Sequence, residues 1–343
     1  MAISRPHHAF LLPSPGMGHL IPALELAKRL VTHQIIPKLT IFYTPFAHST
    51  PSKAETLVLQ SGIKDNLFDL IQLPPLDLTT EVGPHALVED KIATLMHEVP
   101  RLFESTISTM NLNPTIIITD FFLCQVLPLV QNLNIPMFVY APTNAWLLAL
   151  GLHTPTLDKQ IQGEYVNEIE PISIPGCKSI HPHDMFEMLK DRTHRLYHEF
   201  LRGCEGASLA NGIFVNTFPE LEPKTLEALG SGGISKVPVY PVGPIVREPS
   251  PRGPSPSSNG GKISEIVEWL NKQEEESVVY ISLGSGYTMS REEIIEMSLG
   301  LELSGKKFVW SVRPAVTKAG HDHYLTAGEW YNLIFNIFKR HFL

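Results

Sequence analysis

The chain has 343 residues, with Lys plus Arg of 27 against Asp plus Glu of 35 and a formal net charge of −8. That length holds one large or two ordinary domains, two being the expectation, and an apolar share of 43% supplies an ample core. An acidic balance with no basic run argues against nucleic acid or an anionic membrane surface as partner, while a small neutral or anionic ligand fits. Cys124, Cys177 and Cys204 are spaced too widely for a zinc knuckle or a redox C-x-x-C pair, and no N-x-Ser/Thr acceptor lacking Pro occurs. With no signal-type apolar segment and no run of eighteen apolar residues, the expectation is a cytoplasmic protein without a membrane span.

The stretch Phe10–Lys28 packs strand, turn and helix signals into one run. An apolar strand ends at Leu12; Pro13, Pro15, Gly16 and Gly18 interrupt regular structure; Leu20, Ile21, Leu24, Ala27, Leu30 and Val31 then recur at helical spacing. Pro22 is expected in the first turn, where its missing N–H costs nothing, and His19 on the loop before it. Lys38–Tyr43 reads as a strand, 52–61 as a helix and 68–73 as a strand. Ile92, Leu95, Met96, Val99, Leu102, Phe103 and Ile107 mark a long amphipathic helix containing Pro100. The β-branched run 115–119 reads as a central buried strand with Asp120 at its carboxyl end.

A helix over 124–132, a strand over 137–140 and the loop Ala141-Pro142-Thr143-Asn144 follow, with apolar residues to Leu152 among which Trp146, Leu147 and Leu150 read as core. The Pro-rich stretch 153–185 reads as irregular structure of the kind that lines a substrate pocket. A helix over 185–208, a strand over 212–216, a helix over 220–229 and a strand over 239–242 resume the pattern, and Pro, Ser and Gly over 248–262 make a linker. Beyond it come a helix from Ile263, a strand over 277–283, the turn Gly284-Ser285-Gly286, a capping box Ser290–Glu293 and a strand over 307–312, where regularity ends. The alternation predicts an α/β fold with parallel strands, of which the second part holds about two βα units.

His19 and Asp120 each follow a strand at the same edge of the predicted sheet, so the fold can join them. A neutral imidazole can take a proton from a substrate hydroxyl, and a carboxylate on its other nitrogen fixes the tautomer and stabilises the imidazolium. An exposed loop histidine and a helix-capping aspartate are the plainer readings of the same residues. Gly16-Met17-Gly18-His19-Leu20-Ile21 lacks the third glycine of a dinucleotide fingerprint, which disfavours NAD or FAD and an oxidoreductase. The Gly284-Ser285-Gly286 turn reads equally as a phosphate cradle and as an ordinary strand-to-helix turn. The pairs His181/His183, His194/His198 and His321/His323 lack a second convergent set of ligands and read as solvated surface rather than a metal site.

The segments H-A-F-L-L-P-S-P-G-M-G-H-L-I-P, I-I-I-T-D-F-F, G-I-F-V-N-T-F-P-E-L-E, P-V-G-P-I-V and W-L-N-K-Q-E-E-E-S-V-V-Y-I-S-L-G-S-G-Y-T together resemble plant family 1 UDP-glycosyltransferases, in particular their hydroquinone or phenylpropanoid (monolignol) glucosyltransferase branch. The resemblance runs from about His8 to Gly328 and implies a metal-independent, two-lobed GT-B architecture. It implies an acceptor-binding Rossmann-like domain over 1–247, a linker over 248–262 and the start of a UDP-sugar-binding domain over 263–328. His19 would be the general base and Asp120 its partner in an inverting transfer from a UDP-sugar, as co-substrate, to a phenolic hydroxyl. The resemblance also sets Ser14, Gly18, Thr143 and Asn144 at the acceptor and Gly284, Ser285 and Gly286 at the donor phosphates.

Family members carry a donor-binding box with His-Cys-Gly-Trp-Asn-Ser, a motif these 343 residues do not contain. The tail 329–343 departs from the family's continuation, as read-through of an intron or a frameshift would make it; a short helix is the other reading. The expectations are therefore a transferase by descent with impaired or no activity or, alternatively, a non-enzymatic small-molecule-binding or regulatory protein.

Overall fold

The protein is described by a computed structural model covering residues 7–45, 53–63, 67–83, 86–110, 112–247, 260–284, 289–312 and 332–335. The chain divides into two units, residues 1–51 with 55–247 and residues 248–343 with 52–54. In order, the elements up to Arg247 are β1 (His8–Leu12), α1 (Met17–Thr32), β2 (Lys38–Tyr43), α2 (Lys53–Ile63), β3 (Asp69–Gln72), α3 (Leu78–Val82), α4 (Val88–Thr109) and β4 (Ile116–Asp120). These are followed by α5 (Val126–Val130), β5 (Met137–Ala141), α6 (Ala145–Gln160), α7 (Arg195–Gly206), β6 (Gly212–Val215), α8 (Pro223–Gly230) and β7 (Val239–Pro241).

The seven strands pair in parallel in the order β3-β2-β1-β4-β5-β6-β7. Period-2 alternation explains why both faces are covered. Phe10, Leu12, Phe42, Ile117, Val139, Ala141, Ile213 and Val215 join one core with buried residues of α4 to α8. Ala9, Leu11, Leu39, Ile41, Ile118 and Tyr140 join another with α1 and α2. From β1 the chain winds outward through β2 and β3, then returns by α4 to lay β4 on the other side of β1, with Leu12 opposite Thr119. The carboxyl ends of β1 and β4 thus flank the point where the winding reverses, the position at which open α/β sheets leave a crevice.

The start of α1 differs from expectation. Gly16, at φ 106° and ψ 148°, is its N-cap, and the Gly16 carbonyl accepts the N–H groups of His19 (3.1 Å) and Leu20 (2.9 Å). His19 therefore lies in the first helical turn rather than on a loop. Pro22 falls in the second turn, where it cannot close the helical bond to the Gly18 carbonyl. The Gly16 conformation is open to glycine alone, although a Cβ there would meet nothing within 4 Å. Gly16→Ala is expected to cost about 1–3 kcal/mol from backbone strain alone, measured by urea unfolding; an unchanged midpoint would refute it.

Other differences follow from local chemistry. Residues 121–133 form two 3-10 turns around the short α5 instead of one helix. α6 runs on through Pro155 to Gln160, and α7 begins only at Arg195. Between them Arg192 gathers the irregular chain: its guanidinium donates to the carbonyls of Ile161 (2.7 Å), Gly163 and Asp158 (3.0 Å), and packs over Tyr165, 4.7 Å from the ring centroid. Leu150 is core, whereas Trp146 and Leu147 are half-buried.

In the second unit, α9 (Gly260–Leu270) begins inside the expected linker, whose residues 248–259 lie outside the described residues. It is followed by β8 (Val278–Ser282), α10 (Arg291–Ser304) and β9 (Lys307–Val312), with β8 and β9 parallel. The Ser290/Glu293 capping box forms as expected, and Phe308, Trp310 and Val312 make a small core with Ile294 and Leu301. Regularity does not end at Val312, because β10 (Asn332–Phe335) pairs antiparallel with β9; the rest of the tail lies outside the described residues. Among the described residues no helix is long and apolar enough to cross a membrane.

Candidate active site

Asp120 ends β4 and caps the following 3-10 turn. Its side chain is 1% exposed, and its Oδ2 lies 2.9 Å from His19 Nδ1. A carboxylate only accepts, so the proton between them belongs to Nδ1 and the Nε2 lone pair is left to act as a base. Among the described residues no other group hydrogen-bonds the imidazole, which remains 27% exposed. Asp120 Oδ1 accepts the Ser14 hydroxyl (2.8 Å) and the Phe122 N–H (3.0 Å). Two residues from adjacent strand ends, about a hundred positions apart in sequence, thus form one hydrogen-bonded pair.

Burial lowers the His19 pKa, but the charge of Asp120 and its hydrogen bond together outweigh burial and leave it above the ordinary histidine value. Around the carboxylate, burial first and the Asp120 charge second raise both the Cys124 thiol and the Tyr140 phenol, so both stay protonated near neutrality.

An aromatic wall borders the imidazole. The Phe122 ring meets His19 edge-on at 5.1 Å and packs against Phe200 at 5.8 Å and Phe186 at 6.5 Å, while remaining half-buried. Such a surface suits a flat apolar ligand whose polar group reaches Nε2.

The other expected site residues take different places. Ser14 is buried and spends its proton on Asp120. Gly18 is exposed in the first turn of α1, with open space where a side chain would stand. Thr143 is half-buried in the loop after β5; Asn144 caps α6, its side-chain oxygen accepting from Leu147 N–H at 2.8 Å. Gly284 turns the chain at φ 76° in the second unit, whereas Ser285 and Gly286 lie outside the described residues. His194 caps α7 and pairs with Asp90 at 3.2 Å, and His181 and His183 stack on one another. His321 and His323 lie outside the described residues, among which no cluster of His, Cys, Asp or Glu could hold a metal ion.

Sequence reasoning missed the roles of Phe122 and Glu222. Glu222 accepts the N–H groups of Ala145 (2.8 Å) and Trp146 (3.1 Å) and the Thr217 hydroxyl (2.6 Å), so it caps α6 from another element. Asn216 clasps Ile245 by both backbone groups, at 2.6 and 3.1 Å. The segment N-T-F-P-E-L-E therefore ties the ends of β5, β6 and β7 together, and its match to a family motif was the available signal.

No protein-family model matches the chain. It is 40% identical over 330 residues to anthocyanidin 3-O-glucosyltransferase 5 of Manihot esculenta, covering 95% of this chain and 65% of that protein. It is 33% identical over 322 residues to the hydroquinone glucosyltransferase of Rauvolfia serpentina, covering 93% of this chain and 66% of that protein. Among solved structures it resembles Phytolacca americana UGT2 in complex with UDP-2-fluoro-glucose and pterostilbene, at 31% identity and a TM-score of 0.77, covering 90% of this chain and 67% of that one. The chain thus spans about two thirds of the length of the relatives it matches. With the pairing of His19 and Asp120 at the reversal of a seven-stranded parallel sheet, this likeness shows that the chain belongs to the plant family 1 UDP-glycosyltransferases and shares their GT-B type of α/β fold.

Proposed function

We propose that this lobe binds a small phenolic acceptor and activates its hydroxyl for inverting attack on the anomeric carbon of a UDP-sugar, glucose by the names of the relatives. The observation that carries the reading is the 2.9 Å contact of His19 Nδ1 with Asp120, which leaves Nε2 as the base. As the phenolic oxygen bonds to the anomeric carbon, its proton passes to Nε2. The bond to UDP breaks with its electron pair leaving on the phosphate oxygen, and Asp120 stabilises the imidazolium. A single displacement inverts the anomeric centre. The aromatic wall beside His19 supports an aromatic acceptor, in keeping with the anthocyanidin, hydroquinone and pterostilbene named for the relatives.

The test is the pH dependence of glucose transfer to hydroquinone by a fusion joining residues 1–247 to the remaining C-terminal part of the Manihot esculenta relative. His19 must be neutral to act, and its pKa is raised, so kcat/KM is expected to climb with pH along a limb whose midpoint lies above the ordinary histidine value. Asp120→Asn removes the charge that raises the pKa and should move the limb to lower pH. A profile unaffected by Asp120→Asn, or a product that retains the donor's anomeric configuration, would overturn the reading.

A further inference from the structure

The two oxygens of the Asp120 carboxylate have different partners. Oδ2 faces His19, whereas Oδ1 accepts from Ser14 Oγ at 2.8 Å and from the Phe122 amide at 3.0 Å. Ser14 is 6% exposed and lies just beyond β1, whose end is paired with β4, so the loop carries its hydroxyl to the carboxylate. A hydroxyl has one proton. Given to Asp120, it leaves Ser14 no proton to donate to a bound acceptor.

We propose that Ser14 is a positioning residue: with the Phe122 amide it pins Asp120 Oδ1 from two sides, so that Oδ2 alone is presented to His19 Nδ1. The proposal rests on the reading of His19 as the base. The amide alone would leave an Oδ1 lone pair, and the charge on it, without a donor; the Ser14 hydroxyl occupies it and leaves Oδ2 as the oxygen that faces the imidazole. The hydroxyl also draws charge from the carboxylate, because a hydrogen bond to an anion favours the anion. Ser14 thus limits how tightly Asp120 holds the proton on His19. Cys124 and Tyr140, the other titratable groups facing the carboxylate, stay protonated across the relevant range.

The experiment is an NMR titration of the 343-residue chain labelled at the histidine rings, with His19 assigned by His19→Gln. In Ser14→Ala the His19 midpoint should rise relative to wild type by on the order of half a pH unit. Ser14→Thr, which keeps the hydroxyl, should titrate as wild type. Ser14→Cys, a weaker donor of nearly the same size, should shift in the same direction by less, and it serves if the alanine variant does not fold. A His19 midpoint unchanged or lowered in the alanine or cysteine variant would overturn the proposal. The base reading fails separately: normal transfer by a His19→Ala fusion would remove the base and leave the titration result standing.

Discussion

Replacing His19 with alanine in the fusion is expected to lower transfer by on the order of 10²- to 10⁴-fold, the usual worth of general-base assistance. The geometry specifies where the loss should appear. Nε2 is the one basic nitrogen left open by the Asp120 contact, so its removal takes away the proton acceptor while the Phe122, Phe186 and Phe200 wall stays in place. The loss should therefore fall on kcat, with phenol binding nearly unchanged. His19→Gln, which fills similar space without a base, should fare no better. Isothermal calorimetry with the phenol and single-turnover transfer separate the two quantities. A His19→Ala protein that keeps near-normal turnover would remove His19 from the base role.

Phe42→Ala is expected to destabilise the first unit by about 3–5 kcal/mol. Phe42 is fully buried on β2, 4.9 Å from the Phe10 ring on β1 and 5.0 Å from the Phe103 ring on α4, both in edge-to-face contact. Truncation deletes two aromatic pairs, each worth about 0.5–1.5 kcal/mol beyond area, and opens a cavity between the sheet and α4. That helix brings the chain back across the sheet to begin β4, so the same packing supports the strand that ends in Asp120. Leu57→Ala, at a position 60% exposed, is the control and should change stability by about 0.5 kcal/mol or less. Urea unfolding followed by circular dichroism reads both; a loss below about 1 kcal/mol for Phe42→Ala would show that the contact carries little of the fold's stability.

The sequence by itself determined the parallel α/β class and the strands 38–43 and 307–312 to the residue, because short, near-continuous runs rich in β-branched and aromatic residues are the local signal of a buried parallel strand. It also singled out His19 and Asp120, since each follows a strand and the carboxyl ends of parallel strands share one edge. Their contact was decided by the tertiary structure: adjacency of β1 and β4 is a matter of strand order, which no local pattern encodes. The start of α1 depended on a glycine conformation rather than on apolar spacing, so the helix took in His19 and left Pro22 in its second turn. The chain between α6 and α7 gave no periodicity because one guanidinium, that of Arg192, holds it through backbone carbonyls. The hydrogen-bond partners of Ser14 and Glu222 were likewise decided by folding. A hydroxyl or a carboxylate next to a turn can serve a ligand or the protein, and the choice lies with whichever donors and acceptors folding brings within about 3 Å. For Ser14 that partner is Asp120, and for Glu222 it is the first turn of α6.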